Sequence, residues 1–343
     1  MKHLYIASNW INALLAAFKQ QGLDIDLLVD SLPGFSQGKL IDGRRLELSS
    51  ARLIWHRAVE FSGDPLLGVK IGQRQDYRTI GVLAPLLWHS PDIKTLLRNV
   101  TRYQELISDN GGYKISPAFD SQIRHKGGSR LQGIFYAEYL PRENVIAVNP
   151  HQVLSVIAAT LVWLKAMAQG KISLVKLSVP PVLEAALIAD YLGCEVASAE
   201  GNFRIYCQAE FDDEKNAGCD PHLYQINKAY ADELLREKNA GSALIERVKD
   251  LIAGHGFVGA SLEILAGELG MQKRTLQRHL SGQGTGFRDL REEVVKMYAI
   301  KALAQGGQDI EKLAVDLGYS EVSAFYRAFK AWFGVTPKQY IKL

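Results

Sequence analysis

Apolar residues recur at helical spacing early in the chain. Leu14, Leu15 and Phe18 share one face of a helix expected over 10–19, and Leu53, Ile54, Ala58 and Phe61 share one face of a helix expected over 49–62. Between them Pro33, Gly34, Gly38 and Gly43 punctuate a loop. Ser90-Pro91-Asp92 starts a third helix that carries Ile93, Leu96, Leu97, Val100 and Tyr103. The texture then changes. Residues 113–119, 121–126 and 133–140 are short, with aromatic and β-branched residues, and Gly127-Gly128 separates the last two; they predict strands joined by turns. Asn149-Pro150-His151 opens a long helix through Ala168, closed by Gly170. Residues 172–179 and 203–209 predict further strands. Pro180-Pro181 is expected to start a helix through Leu192 that ends at Gly193. The first 210 residues therefore predict an α+β domain.

Residues 221–238 return to helical spacing, with Leu223, Ile226, Tyr230 and Leu234 on one stripe, and Asn239-Ala240-Gly241 is expected to break it. Everything after Gly241 predicts helices with short turns. The expected layout is a regulatory domain at 1–220, a linker helix at 221–240 and an all-α domain at 241–343.

The all-α part contains an internal echo. Leu262-Glu-Ile-Leu-Ala266-Gly-Glu-Leu-Gly270 is followed by residues 271–280, and Ile310-Glu-Lys-Leu-Ala314-Val-Asp-Leu-Gly318 by residues 319–329. Ala266 matches Ala314, Leu269 matches Leu317 and Gly270 matches Gly318. Each copy has a helix-turn-helix layout: a small alanine where a second helix must pack close, a glycine where the turn needs positive φ, then a second helix. In the first copy Leu276 and Leu280 face inward, so Arg274, Gln277 and Arg278 point outward together. Arg and Gln make bidentate contacts to guanine and adenine edges in a major groove. A helix expected over 287–303 spans about 25 Å and is long enough to place two reading helices near one DNA turn apart.

Charge sharpens this picture. The net charge of +3 is too small to name a partner, but its location is informative. From Gly241 onward there are 14 Lys and Arg against 11 Asp and Glu, whereas residues 1–240 hold 26 of each. Cys194, Cys207 and Cys219 form no C-x-x-C pair and read as thiols in a reducing cytoplasm. An apolar fraction of 47% with 22% charged residues excludes a disordered tail or a collagen-like chain. No signal peptide is expected. The apolar run from Val153 to Leu164 falls short of the roughly twenty residues a membrane span needs.

Residues 242–343 resemble the DNA-binding region of AraC-family transcription activators. The resemblance rests on Ala266…Leu269-Gly270-Met271, Arg274-Thr275-Leu276-Gln277-Arg278, Gly284…Phe287, Leu317-Gly318-Tyr319-Ser320…Ser323-Ala324-Phe325…Arg327-Ala328-Phe329-Lys330, and Phe333-Gly334-Val335-Thr336-Pro337…Tyr340. More loosely, the first 225 residues are similar to the arabinose-binding-like regulatory domain of one branch of that family. That likeness lies in Asp64-Pro65…Gly68…Gly72, Thr79-Ile80-Gly81-Val82-Leu83…Ser90-Pro91…Tyr103 and Tyr191-Leu192-Gly193-Cys194-Glu195-Val196. The resemblance implies a small-molecule effector bound by the N-terminal domain, activation rather than repression, contact with RNA polymerase, and possible homodimerisation in a bacterial cytoplasm. Two residues depart from the family pattern. Gln272 stands where a capping serine is usual, and Val295 where an arginine is usual. They imply a weaker helix cap and the loss of a buried or phosphate-facing charge.

The reading is then an α+β regulatory domain followed by an all-α domain with two helix-turn-helix motifs. It regulates transcription by sequence-specific binding of double-stranded DNA. Arg274, Gln277 and Arg278 are expected to read one major-groove segment, and Ser323 and Arg327 the next; Lys273, Lys330 and Lys338 are expected to contact phosphates. Phe325, Phe329, Trp332 and Phe333 are expected in the core. The effector-binding residues are not assigned. The alternatives are an enzyme, or a ligand-independent partner-binding domain, in residues 1–220 fused to a DNA-binding module. Gly34-Phe35-Ser36-Gln37-Gly38 fits the G-x-S-x-G nucleophile elbow, but that chemistry needs a strand before the serine and a helix after it, and neither is expected here. The histidines show no metal-ligand spacing and there is no Walker motif, so no metal, no cofactor and no catalytic residue is expected.

Overall fold

The computed structural model describes residues 4–32, 34–36, 38–40, 45–116, 124–125, 130–144, 146–201, 203–212, 216, 218–283, 285–304, 309–333 and 336–340. Pro33, Gly43, Gly127, Gly128, Gly284, Gly334, Val335, the end of the strand expected over 113–119 and most of that over 121–126 lie outside the described residues. The chain divides into two compact units, Leu4–Arg236 and Glu237–Leu343.

The N-terminal unit begins β1 (Tyr5–Ala7), α1 (Ser8–Gln20), α2 (Ile25–Val29), β2 (Phe35–Ser36), β3 (Lys39–Leu40), β4 (Arg45–Glu47), α3 (Leu48–Ser62), α4 (Leu67–Gln73), α5 (Leu83–Trp88) and α6 (Ile93–Tyr103). It continues β5 (Gly111–Ile115), β6 (Arg124–His125), β7 (Arg130–Pro141), α7 (Pro150–Met167), β8 (Ile172–Val179), α8 (Ala185–Leu192), β9 (Glu195–Ser198) and β10 (Phe203–Asp212). The main sheet runs β5-β7-β10-β8-β9, with β6 also paired to β7. Its pairs are antiparallel except β8–β9. On β10, Phe203, Ile205, Cys207 and Ala209 are buried, the period of two that a sheet with one covered face requires. In the expected G-x-S-x-G loop β2 pairs with β3, so among the described residues Ser36 is followed by a strand and not by the helix that a nucleophile elbow needs.

Helix α7 lies in the middle of this unit. The Asn149 side chain accepts from the His151 amide at 2.9 Å and Pro150 opens the first turn, so the start is fixed as its sequence indicates. Helix α4 packs on α7 almost backbone to backbone. A methyl group on Gly68 would stand 2.5 Å from the His151 carbonyl oxygen, and one on Gly72 2.3 Å from that of Ser155, so only glycine fits at either position.

Three expectations need correction. The helix after Pro180-Pro181 begins only at Ala185. Pro181 steers Pro180 away from helical geometry, and the Leu183 amide closes a turn on the Pro180 carbonyl at 3.0 Å. On α3 the buried stripe is Ala51, Arg52, Ile54, Trp55 and Ala58, while Phe61 is exposed in the last turn. Lastly, Asn239-Ala240-Gly241 breaks nothing: α9 runs from Pro221 to Gly259, and its non-helical residue is Gly256. Gly241 is instead a notch against the Gln283 side chain. The docked face of α9 is Tyr224, Ala231 and Leu235, whereas Leu223, Ile226 and Tyr230 are exposed. Polar anchors set that rotation. Asp232 accepts from the Tyr103 hydroxyl at 2.7 Å and from Arg102 at 2.8 Å, and Asn99 donates to the Tyr224 hydroxyl at 3.3 Å.

The C-terminal unit holds the later turns of α9, then α10 (Leu262–Glu268), α11 (Lys273–Gly282), α12 (Phe287–Ala304), α13 (Ile310–Asp316), α14 (Val322–Phe333) and α15 (Pro337–Tyr340). No strand occurs among its described residues. Its core joins Val248 and Ile252 of α9 to Leu265, Leu276, Leu280, Leu290, Ala299, Leu313, Phe325 and Phe329. Buried Lys249 bridges α9 to Glu293 of α12 at 2.6 Å.

Candidate nucleic-acid interface

The two sequence echoes fold into the same device. In the first, the Met271 amide donates to the Ala266 carbonyl at 2.9 Å and the Gly270 amide to that of Gly267 at 3.1 Å. In the second, the Tyr319 amide donates to Ala314 at 3.0 Å and the Gly318 amide to Val315 at 2.9 Å. Each pair of bonds is a Schellman closure, which needs a left-handed residue after the helix. Gly270 (φ 65°) and Gly318 (φ 83°) supply it. Ala266 and Ala314 are buried at the crossing of the two helices of each motif. The small alanine and the glycine therefore set the angle at which α11 and α14 are presented.

On α11, Leu276 and Leu280 are buried, and Lys273, Arg274, Gln277, Arg278 and His279 are exposed. Gln272, Arg274, Thr275, Gln277, Arg278 and Ser281 line one open groove. Arg274 and Arg278 enter no ion pair among the described residues, while Lys273 lies 3.4 Å from Glu263. On α14, Phe325 and Phe329 are fully buried, and Ser323, Arg327 and Lys330 are exposed. Lys338, on α15, is also exposed. The structure thus gathers three of the expected base-reading residues on one face of α11 and the other two on one face of α14.

Aromatic packing holds α14 in place. Phe329 meets Phe325, Phe333 and Tyr340 at centroid distances of 5.7, 4.6 and 5.7 Å, and Lys296 of α12 lies over the Trp332 ring at 5.5 Å. Thr336 and Gln339 cap α15 reciprocally: the Thr336 amide donates to Gln339 Oε1 at 2.9 Å, and the Gln339 amide to Thr336 Oγ1 at 3.3 Å. Both departures noted in the sequence have visible consequences. Gln272 makes no side-chain cap on α11, whereas Ser261 on α10 accepts from the Ile264 amide and Asp309 on α13 from the Glu311 amide. Val295 is buried in the core of the C-terminal unit, where its apolar side chain packs in place of the usual arginine.

Sequence reasoning did not find Arg291. It sits on α12 and donates through Nε to the Phe257 carbonyl at 2.9 Å, just after the kink at Gly256. A cation at this point satisfies a carbonyl freed by the interrupted helix. Nothing in the local spacing marks it, because its partner lies 34 residues away.

Among the described residues no group of three or more His, Cys, Asp and Glu is arranged to hold a metal ion, and no helix is long and apolar enough to cross a membrane. Residues 22–216 match a model described as the arabinose-binding domain of AraC transcription regulators, at the N-terminus, and residues 265–342 match a helix-turn-helix domain. The chain is 37% identical over 161 residues to the HTH-type transcriptional regulator VirS of Mycobacterium tuberculosis, covering 45% of each. It is 22% identical to the ornithine utilization regulator of Pseudomonas aeruginosa, over 86% of this chain and 84% of that one. Among solved structures, the transcriptional regulator CdpR of Pseudomonas aeruginosa aligns over 98% of both chains at 17% identity, with a TM-score of 0.43.

Proposed function

From the premise that the chain belongs to the AraC family of transcription regulators, with a DNA-binding helix-turn-helix domain and an effector-binding N-terminal domain, we propose that α11 and α14 read two successive major-groove segments of one operator. Arg274, Gln277 and Arg278 contact base edges in the first segment, and Ser323 and Arg327 in the second. Lys273, Lys330 and Lys338 contact phosphates and give affinity without sequence. The observation that carries this reading is the repeated closure at Gly270 and Gly318, which presents two helices of matching build with their basic and amide side chains exposed.

The regulator acts without catalysing a reaction, in the bacterial cytoplasm and on the nucleoid when bound to DNA. It activates transcription through RNA polymerase and works as a homodimer. Functionally, residues 1–220 form the sensor, 221–240 the linker and 241–343 the reader. Effector and DNA must then alter each other's affinity by the same factor, since the coupling between two sites is reciprocal. A salt-controlled mobility-shift assay with Arg278→Ala tests the base contacts. The expected loss is about 1–3 kcal/mol on the cognate duplex, with relaxed preference at the contacted base pair. Equal binding by variant and parent on every duplex overturns that assignment.

A further inference from the structure

Within the N-terminal unit two small cavities lie on either side of a single hydrogen-bonded pair. The first, about 60 Å³, is walled by Trp10, Leu83, Leu87, Trp163 and Met167. The second, about 40 Å³, ends against Phe135, Ile205 and Cys207. Tyr113 and Thr160 line both, and the Tyr113 hydroxyl bonds Thr160 Oγ1 at 2.9 Å. We propose that these cavities are the two halves of the effector site, and that its ligand is an uncharged, elongated apolar molecule with one hydrogen-bonding group, which takes the place of the Tyr113–Thr160 bond. This rests on the effector-controlled reading above and names the chemistry of its ligand.

The lining supports this chemistry and disfavours the alternatives. No Asp, Glu, Lys, Arg or His lines either cavity, so a carboxylate or ammonium group would enter without a counter-charge, at a cost that ordinary binding does not offset. Polar groups in the wall are already engaged. The Gln104 amide bonds both the N–H and the C=O of Tyr113, at 2.7 and 3.4 Å. Trp163 Nε1 donates to the Gln75 carbonyl at 2.8 Å, and Thr160 Oγ1 to that of Val156 at 2.8 Å. A sugar would strand several hydroxyls against such a wall. The volumes add a constraint. A dry cavity of roughly 150 Å³ is needed to hold a benzene-sized molecule. The two compartments together come to only about 100 Å³, so the ligand must part Tyr113 from Thr160, occupy both and press the apolar walls outward as it enters. Parting them frees the Tyr113 O–H, which also lies 3.3 Å from the Val156 carbonyl, and an acceptor lone pair on Thr160 Oγ1, whose own proton stays on Val156, and this fits a single ligand hydroxyl that accepts from one and donates to the other.

The test uses the full-length protein with 1-hexanol, hexanoate and L-arabinose, read by tryptophan fluorescence, because Trp10 and Trp163 line the first cavity, and by thermal unfolding. Saturable quenching with a raised melting temperature is expected for 1-hexanol. Hexanoate, the same length of chain with a charge, and L-arabinose, a polyol, should give neither. Val100 lines both cavities, and Val100→Phe should abolish the response while specific DNA binding persists. Thr160→Val serves as a second variant should Val100→Phe fail to fold. It should weaken 1-hexanol about fivefold, the worth of one hydrogen bond. No saturable response to 1-hexanol, equal binding of hexanoate or L-arabinose, or a response unchanged in folded variants overturns the site. If specific DNA binding survives such a result, the regulator reading stands and only the site falls. If the parent chain binds no DNA specifically, the regulator reading falls independently.

Discussion

Arg278 and Lys330 are both exposed cations on helices of the reading pair, yet they should fail differently when removed. Arg278 shares its face with Arg274 and Gln277, which on the proposed reading meet base edges with planar donors, so Arg278→Ala should relax sequence preference. Lys330→Ala should weaken cognate and random duplexes alike and lower the salt slope by about one, since a phosphate contact carries no sequence. Titration against both duplexes at several salt concentrations separates the two. Titratable groups in the N-terminal core behave in a way that pH can test. Burial pushes the Tyr139 phenol and the Cys207 thiol each up to about 12, and burial likewise raises the Tyr113 phenol. All three raised values favour the neutral forms in the folded state. Their contribution is complete below the unfolded values and is lost as pH rises from about 9 toward 12. Alkaline unfolding followed by circular dichroism should therefore begin in that window. Affinity for 1-hexanol should be flat between about pH 6 and 9, because no group in the cavity wall titrates there.

At the scale of elements, the closures at Gly270 and Gly318 govern how the reading helices are aimed. A methyl group on Gly270 meets nothing within 4 Å, so Gly270→Ala isolates the backbone term. It should destabilise the C-terminal unit by about 1–2 kcal/mol, measured by urea unfolding. Gln272→Ser should act in the opposite sense. It supplies the missing cap of α11 and should add about 0.5–1 kcal/mol. These motifs were legible in the sequence because everything that builds them is local: an alanine, a glycine and a leucine pair lie within twenty residues of one another. The strands of β8 and β10 were legible for the same reason. What escaped was set by distant partners. The rotation of α9 follows from Asp232 meeting Arg102 and Tyr103, about 130 residues away, and it turned the apolar stripe of Leu223, Ile226 and Tyr230 outward. The short helices α4 and α5 and the edge strand β9 were missed too. Each is too brief to show a period, and α4 owes its place to glycines pressed against α7.

For the whole molecule, the consequence to test is coupling. Helix α9 contributes Tyr224 and Ala231 to the N-terminal core and Val248 and Ile252 to the C-terminal core. Its anchor Asp232 is held by α6, the helix that also carries Val100 of the cavity wall. Asp232→Ala should leave affinity for 1-hexanol nearly unchanged and reduce the effect of 1-hexanol on DNA affinity. Calorimetry for the first and mobility shift for the second would show it, and an undiminished effect would place the coupling elsewhere. The charge of the whole chain contributes little to any of this. An excess of three basic residues gives modest non-specific attraction, so in the reading we propose specificity rests on where a few arginines are placed. The most direct measurement is selection of binding sites from a random duplex pool, with the parent, Arg278→Ala and Arg327→Ala compared at fixed salt. The account predicts that each protomer selects a two-part element whose halves lie about 10 base pairs apart, with Arg278→Ala losing preference in one half and Arg327→Ala in the other. An unenriched pool, or preference lost equally across both halves in either variant, would contradict it.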